Sequence, residues 1–312
     1  MYWMIVNLMQ HGRRMNFNDL VAEYVQSYDF NACKPDTQRD YIYWATRLSS
    51  VPIDDRLFGF MHPHKVSTPV AQRAYEYLLS SGVSMANHVV GLGSVVFGHS
   101  IRMGSVNHNP FTYIKRRSTP NRKVVWSSED IAAYLTTAYS KFKWRNIGLI
   151  TQMSYEWCQR QGDMRLLQWE QYDLETGILT LEQSKRGAEV TLPTSAGLQA
   201  MLKKQHEDFG FQKWIAPRPR PVGILYQPYS MRGLSVQAKI VREASGISNL
   251  LQIRDMRRTG TVEMVDAGVD LPQIMSVTGH ANPASVKPYM KNTLKSSSMA
   301  MKARWDSKEK LV

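Results

Sequence analysis

The sequence has few cysteines and no long apolar run. Cys33 and Cys158 are the only cysteines in 312 residues, too few for the disulfide framework of a small secreted domain. No segment approaches the run of about 18 apolar residues that a membrane-spanning helix needs. Residues 1–14 are apolar first and basic afterwards, which is the reverse of a signal peptide. We therefore expect a cytoplasmic protein with reduced thiols.

Sequence patterns for metal binding are missing as well. The nearest is His62-Pro63-His64, and a single pair of this kind is more often part of a loop than of a metal site. Phosphoryl-transfer enzymes that use metals hold them with clustered carboxylates, and zinc sites have regularly spaced histidines and cysteines. The sequence shows neither pattern, so it predicts no metal and no other cofactor.

Acidic residues are scarce relative to basic ones. The chain has 26 Asp and Glu against 39 Lys and Arg, a net charge of +13 and a pI of about 9.7. The excess is shared by both halves of the chain and predicts a polyanionic partner, most simply nucleic acid. A generic basic surface is the alternative. The length and a hydrophobic content of 43% allow two domains with ordinary cores.

The first domain is predicted to be all α-helical. Apolar periodicity and end signals predict four helices in residues 17–114, at 17–29, 36–49, 68–81 and 84–103. Gly91 and Gly93 lie in the fourth helix, where another helix can approach closely. Residues 1–16 form an N-terminal extension.

A basic linker is predicted over residues 115–125. It can lie on DNA phosphates as it crosses between domains, or it can be a solvated hinge. Its five positive residues are Lys115, Arg116, Arg117, Arg122 and Lys123.

The second domain, residues 126–295, is predicted to contain helices and one β-hairpin. Ser127 and Asp130 resemble a capping box at the start of its first helix, and Gly187 is predicted to lie in the hairpin turn. Further helices are predicted at 145–158, 194–208 and 230–245, and the hairpin strands at 178–182 and 189–192. A short strand is also considered at 224–226. The fold class is therefore mainly α with a small β-sheet (α+β).

The stretch from Ile253 to Tyr289 carries the strongest chemical signal. Asp255 can cap a helix that starts at Met256, Gly268 and Gly279 can end helices, and a third helix would begin at 282–283 and carry Tyr289. Three short helices would bring two basic donors and a nucleophile to one place. The residues are Arg257, His280 and Tyr289, and together they make a plausible phosphate site.

This stretch resembles the active-site boxes of the tyrosine recombinases, also called phage integrases. Their pattern is H-x-x-R, then Gly-His, then tyrosine, and it falls here on Arg254 to Arg257, Gly279-His280 and Tyr289. Arg254 departs from the pattern, because an arginine in the histidine slot cannot accept a proton near neutral pH. The resemblance implies a helical (SAM-like) core-binding DNA-binding domain followed by the catalytic domain.

Two further site residues follow from the resemblance. The family's first box has an arginine nine residues before a tryptophan, here Trp169, which selects Arg160. A lysine on the family's hairpin reaches the cut site, which selects Lys185, with Arg186 as its neighbouring alternative. Asp163 is interpreted as structural.

The resemblance also implies a chemistry that uses no metal or ATP. Tyr289 would attack phosphorus and form a 3′-phosphotyrosine, and Lys185 would protonate the leaving 5′-oxygen. The transition-state oxygens would be held by Arg160 and Arg257, with Arg254 and His280 as additional donors.

The helix at 230–245 is a candidate for contact with the major groove of DNA. Its basic residues Arg232, Lys239 and Arg242 make it a major-groove candidate. An ordinary exposed basic face is about equally consistent with the pattern.

The leading interpretation is a site-specific DNA recombinase, of the small-integrase or Xer type, from a phage or mobile element. It implies double-stranded DNA and a homotetramer as partners, an accessory DNA-bending or directionality factor as a further possibility, and the host bacterial cytoplasm or nucleoid as location. The tail, residues 296–312, is interpreted as exchanging between protomers or as frayed. Two alternatives stay open: a DNA relaxing or resolving enzyme with the same chemistry, and a catalytically inactive DNA-binding protein on the same fold.

Overall fold

The computed structural model describes residues 15–120, 122–185, 187–289 and 294–309, with side chains described except at 294–296, 303 and 307–309. Almost all of the predicted N-terminal extension and Arg186 lie outside the described residues. The chain divides into two compact units, and the second begins at Arg122. This division falls inside the segment that the sequence predicts as a linker. No helix in the described part of the chain is long and apolar enough to cross a membrane.

The first unit is helical, with one small antiparallel strand pair. Its helices are α1 (Phe17–Val25), α2 (Tyr28–Asn31), α3 (Pro35–Ser49), α4 (Thr68–Leu79) and α5 (Val83–Arg102), and its strands are β1 (Pro52–Ile53) and β2 (Arg56–Leu57). The predicted helix at 17–29 is interrupted, because Ser27 accepts a hydrogen bond from the Phe30 backbone and caps α2. The cap of α1 is Asn16, in a capping box with Asp19, rather than the predicted Asn18.

Close approach to α5 occurs at one of its two predicted glycines. A Cβ at Gly93 would lie 2.7 Å from the ring of Phe111 and 3.0 Å from Leu48 of α3. Phe111 is buried in the core and packs 5.8 Å from the ring of Phe97, so the ring cannot move away freely. At Gly91 a Cβ would meet only the Arg116 side chain, at 3.5 Å.

The second unit packs helices around a three-stranded antiparallel sheet. Its helices are α6 (Ser128–Tyr139), α7 (Phe142–Glu156), α8 (Gln161–Met164), α9 (Ala196–Phe209), α10 (Met231–Ser245), α11 (Met256–Asp266), α12 (Leu271–Thr278) and α13 (Leu294–Glu309). The strands are β3 (Tyr172–Asp173), β4 (Ile178–Glu182) and β5 (Glu189–Pro193), in the order β3-β4-β5.

Helix α7 is central to this unit and packs against α6, α10 and α11. The strands alternate buried and exposed residues, and the buried Leu179 and Leu192 face each other across β4 and β5. Gly187 lies in the connection with a φ of 64°, which glycine adopts without strain. The predicted hairpin and the predicted class, mainly α with a small sheet, are confirmed.

Two local predictions in the second unit are wrong. Residues 282–289 form two short 3-10 turns, Pro283–Ser285 and Lys287–Tyr289, instead of a third helix. Pro288 explains this, because proline has no backbone N–H to donate and its ring clashes with the preceding helical turn. Residues 224–226 make one isolated bridge between Val222 and Leu225 instead of a strand.

The tail forms helix α13, which contacts its own unit. The Met299 methyl carbon lies 2.7 Å from where a Cβ of Gly268 would be, and Trp305 is 56% exposed. Its exchange between protomers stays a prediction.

The two glycines of α5 give a matched test of packing in the first unit. We expect Gly93→Ala to destabilise it, because overpacking costs about 1–3 kcal/mol while the gain in helix propensity is roughly 1 kcal/mol. Gly91→Ala adds the same methyl group in ordinary van der Waals contact with the flexible end of Arg116 and should stabilise. Hydrogen exchange measured by mass spectrometry on α5 peptides should show faster exchange for the first variant and slower or unchanged exchange for the second. Equal effects would contradict the packing argument.

Candidate active site

Arg257 is the buried centre of the site. It lies in the first turn of α11 and is 8% exposed. Its Nη2 donates to the Thr278 carbonyl oxygen at 2.7 Å, a carbonyl at the end of α12 that has no partner within the helix. Burial, followed by repulsion from Arg160, lowers the pKa of Arg257 to about 10. The guanidinium is therefore still charged at neutral pH, although its environment disfavours the charge.

His280 follows the end of α12 and touches Arg257. Its Nδ1 lies 2.7 Å from the Thr278 hydroxyl, and its Nε2 lies 3.2 Å from Arg257 Nη2. The Thr278 hydroxyl donates its one proton to the Ile274 carbonyl at 2.7 Å, so it must accept from His280. Nδ1 therefore carries a proton and Nε2 accepts from Arg257, which is the neutral form of the imidazole.

Arg160 is held by the end of the β4 strand. It occupies the N-cap position of α8 without a side-chain capping hydrogen bond, and it is half-buried. Its Nη1 donates to Gln183 Oε1 at 2.7 Å, and the same nitrogen lies 3.9 Å from the Asp163 carboxylate. Asp163 accepts from the Ser184 backbone at 3.2 Å and from its hydroxyl. It therefore ties α8 to the hairpin, in keeping with the structural interpretation.

Tyr289 lies beside these residues. Its ring centre is 6.1 Å from that of His280, and the Arg258 guanidinium lies 4.8 Å from it in a cation–π contact. The side chain is half-buried. The structure thus brings Tyr289, His280 and Arg257 together, as the spacing predicts.

The two tyrosines that flank the first box are placed differently. Tyr155 donates to the Glu263 carboxylate, with its oxygen 2.8 and 3.0 Å from the two carboxylate oxygens. Burial and this carboxylate raise the pKa of Tyr155 well above its usual range. Tyr172 is buried in the core. Both environments disfavour the phenolate that a nucleophile needs.

Arg254 and Asp255 are adjacent in the chain but have different surroundings. Arg254 is exposed and lines a cavity of about 570 Å³ together with Gln161 and Arg242. Asp255 is buried and makes no side-chain cap to α11, unlike the prediction. Its oxygens instead each accept from Arg122 at 2.7 Å, and one accepts from the Gln252 backbone at 3.0 Å.

The predicted DNA-contact residues fall into two groups. Arg122 is engaged by Asp255, and Arg242 donates to the Leu251 carbonyl at 2.9 Å, so both hold the unit together. The other described candidates are exposed: Lys115, Arg116, Arg117, Lys123, Arg232 and Lys239. Lys185, which is predicted to protonate the leaving oxygen, is exposed as well.

Sequence reasoning missed three residues of the site. Gln183 and Thr278 connect the predicted residues to one another, and Arg258 supports the Tyr289 ring. Arg258 follows Arg257 directly and could be suspected from that. Gln183 and Thr278 carry no local signal.

The sequence model of the phage integrase family matches residues 128–295, which is more than half of the chain. The chain belongs to the phage integrase family. The match spans Arg160 and Tyr289, and so covers the site described above. The expected family resemblance is confirmed.

Solved integrase structures show the same fold. A lambda integrase dimer bound to a COC′ core site has a TM-score of 0.73 at 17% identity, covering 90% of this chain and 97% of that one. A lambda integrase tetramer bound to a Holliday junction has a TM-score of 0.73 at 16% identity, covering 90% and 78%. The Tn1549 transposon integrase in complex with circular intermediate DNA has a TM-score of 0.71 at 14% identity, covering 92% and 99%. No curated protein sequence matches this chain.

The Arg122–Asp255 pair gives a matched test of stability at the site. Arg122→Ala leaves a buried carboxylate without its counter-ion and should cost about 3 kcal/mol. Arg73→Ala removes a similar two-oxygen contact to Asp54, but this carboxylate is 64% exposed and remains hydrated. Hydrogen exchange of peptides from α11 should speed up in the first variant, whereas peptides around Asp54 should change little in the second. Equal small effects would show that Asp255 does not depend on Arg122.

Proposed function

We propose that this chain is a site-specific DNA recombinase that cuts and rejoins DNA through a 3′-phosphotyrosine intermediate. The observation that carries the proposal is the convergence of the cationic cluster, Arg160 and Arg257, and of the neutral His280 beside the Tyr289 ring. These residues come from α11, the end of α12, the start of α8 and a 3-10 turn. Family membership and the fold of DNA-bound integrases support the same function.

The cationic cluster suits a phosphodiester. Arg160 lies close enough to Arg257 to lower its pKa, so the two guanidinium groups repel each other. An anion bound between them would offset this repulsion. Arg257 Nη1 is buried and has no hydrogen-bond partner among the described residues. A non-bridging phosphate oxygen would accept from it, which would satisfy a buried donor and offset the charge at the same time.

The proposed step is a transesterification. The Tyr289 oxygen attacks phosphorus, the bond from phosphorus to the 5′-oxygen breaks, and Lys185 gives that oxygen its proton. The phenol proton passes to His280, because the arginines cannot accept one. Rejoining reverses the step with a 5′-hydroxyl from a partner strand. The covalent intermediate conserves the energy of the phosphodiester, so no ATP is needed. Arg160 and Arg257 would neutralise the phosphate charge in place of a metal.

The proposed partner is double-stranded DNA, held by both units. The exposed basic residues of the linker, Lys115, Arg116, Arg117 and Lys123, are assigned to phosphates. Helix α10, with the exposed Arg232 and Lys239, is assigned to the major groove. A homotetramer is proposed for strand exchange, because the lambda integrase structure on a Holliday junction is a tetramer.

The nucleophile is tested by covalent trapping. The protein is incubated with nicked double-stranded DNA fragments that flank its gene, in EDTA without ATP, and run on a denaturing gel. We expect a DNA-linked band from the wild-type protein. Tyr289→Phe should give none, because it removes only the hydroxyl oxygen, which is the atom that would attack phosphorus.

Tyr155→Phe is the matched control, since it removes a hydroxyl from the same unit, and it should keep the band. A band that survives in Tyr289→Phe would show that another residue is the nucleophile. Tight, salt-sensitive binding without any band would favour an inactive DNA-binding protein.

A further inference from the structure

We infer that Gln183 is a positioning residue for DNA cleavage: its carboxamide holds Arg160 and the α12 carbonyl in one fixed arrangement. The inference rests on the proposed function. Gln183 lies at the end of β4, two residues before Lys185, and is 1% exposed. It therefore acts on phosphate only through other residues.

The orientation of this carboxamide is determined by its partners. Its Oε1 accepts from Arg160 Nη1 at 2.7 Å, and a guanidinium can only donate. Its Nε2 donates to the Thr278 carbonyl at 2.8 Å, and a carbonyl can only accept. Neither contact survives rotation of the carboxamide by 180°, so the side chain has one satisfied state.

Gln183 shares the Thr278 carbonyl with Arg257. Both donate to this one oxygen, at 2.8 and 2.7 Å. A shift of Gln183 therefore moves the acceptor that fixes Arg257, and the Thr278 hydroxyl in turn fixes His280. One side chain thus links Arg160 to Arg257 and His280.

A second glutamine supports the arrangement. Gln159 Oε1 accepts from Gln183 Nε2 at 2.7 Å. Gln159 Nε2 donates to the carbonyls of Trp157 and Val277, at 2.8 Å each. Gln159 is fully buried, so the carboxamide pair joins the end of α7, the end of β4 and the end of α12 without solvent.

The Gln183 carboxamide leaves no space for a side chain at Gly279. A Cβ at Gly279 would lie 2.4 Å from Gln183 Nε2, and the φ of 66° is left-handed. The turn before His280 is therefore shaped by this contact as well as by the helix end.

The arrangement predicts a separation of cleavage from binding. Gln183→Met keeps the shape of the side chain and removes its hydrogen bonds. Arg160 and Arg257 then lose their fixed positions, and a misplacement of about 1 Å can cost roughly 100-fold in rate. We expect the single-turnover rate of covalent attachment, at saturating protein, to fall about 100-fold, with the Kd for the same nicked DNA changed less than about 3-fold.

Gln205→Met is the matched control. Gln205 is 2% exposed and donates to Asn146 at 2.9 Å and to the Ile215 carbonyl at 2.7 Å, on α9 and outside the cationic cluster. We expect Gln205→Met to lose about as much folding stability as Gln183→Met and to keep the wild-type rate of covalent attachment. In an Arg160→Ala background, Gln183→Met should add less than its effect alone, because both act on one guanidinium.

The outcomes are distinct. A wild-type rate in Gln183→Met, or equal losses of rate in the Gln183 and Gln205 variants, would overturn the positioning role and leave the proposed function intact. A wild-type protein that forms no DNA-linked band would overturn the proposed function itself.

Discussion

The burial of the Arg257 guanidinium is the constraint on which this site depends. A buried cation is tolerated only when its donors are satisfied and opposite charge can approach it. The protein meets the first requirement only in part: Nη2 donates to the end of α12, whose last carbonyls have no helical partner and carry partial negative charge, while Nη1 has no partner among the described residues. Because Thr278 is held at Arg257, His280, two residues later, is held near Arg257 as well. Gly279 lies between them with a left-handed backbone conformation.

Several elements serve this one arrangement. Helix α7 is the scaffold on which α11 packs, and the buried sheet positions the end of β4 against the end of α12. The site residues are thus attached to rigid elements rather than to long loops. Arg258 and Tyr289 extend the arrangement outward, because the tyrosine ring rests on a cation that is itself part of α11.

Local chemistry in the sequence was sufficient for most of the fold and for the residue types at the site. Gly279-His280 and Tyr289 could be predicted because helix ends and spacing are local signals. Gln183 could not, since its role depends on a contact with Thr278 that is 95 residues distant. The cap expected from Asp255 failed for the same reason, because Arg122, 133 residues away, takes up its carboxylate. The expected helix through Tyr289 does not form, because Pro288 cannot donate a helical hydrogen bond, and apolar spacing alone does not register this.

The pairing of Arg122 with Asp255 defines where the second unit starts. A boundary drawn from helix signals alone would begin at Trp126, next to α6. The Asp255 carboxylate takes its counter-ion from Arg122, which lies four residues before Trp126. A fragment cut at residue 126 would thus carry an uncompensated buried charge beside Met256 and Arg257, whereas one cut before residue 122 would keep it neutralised. The last residues of the apparent linker are, in physical terms, part of the second unit.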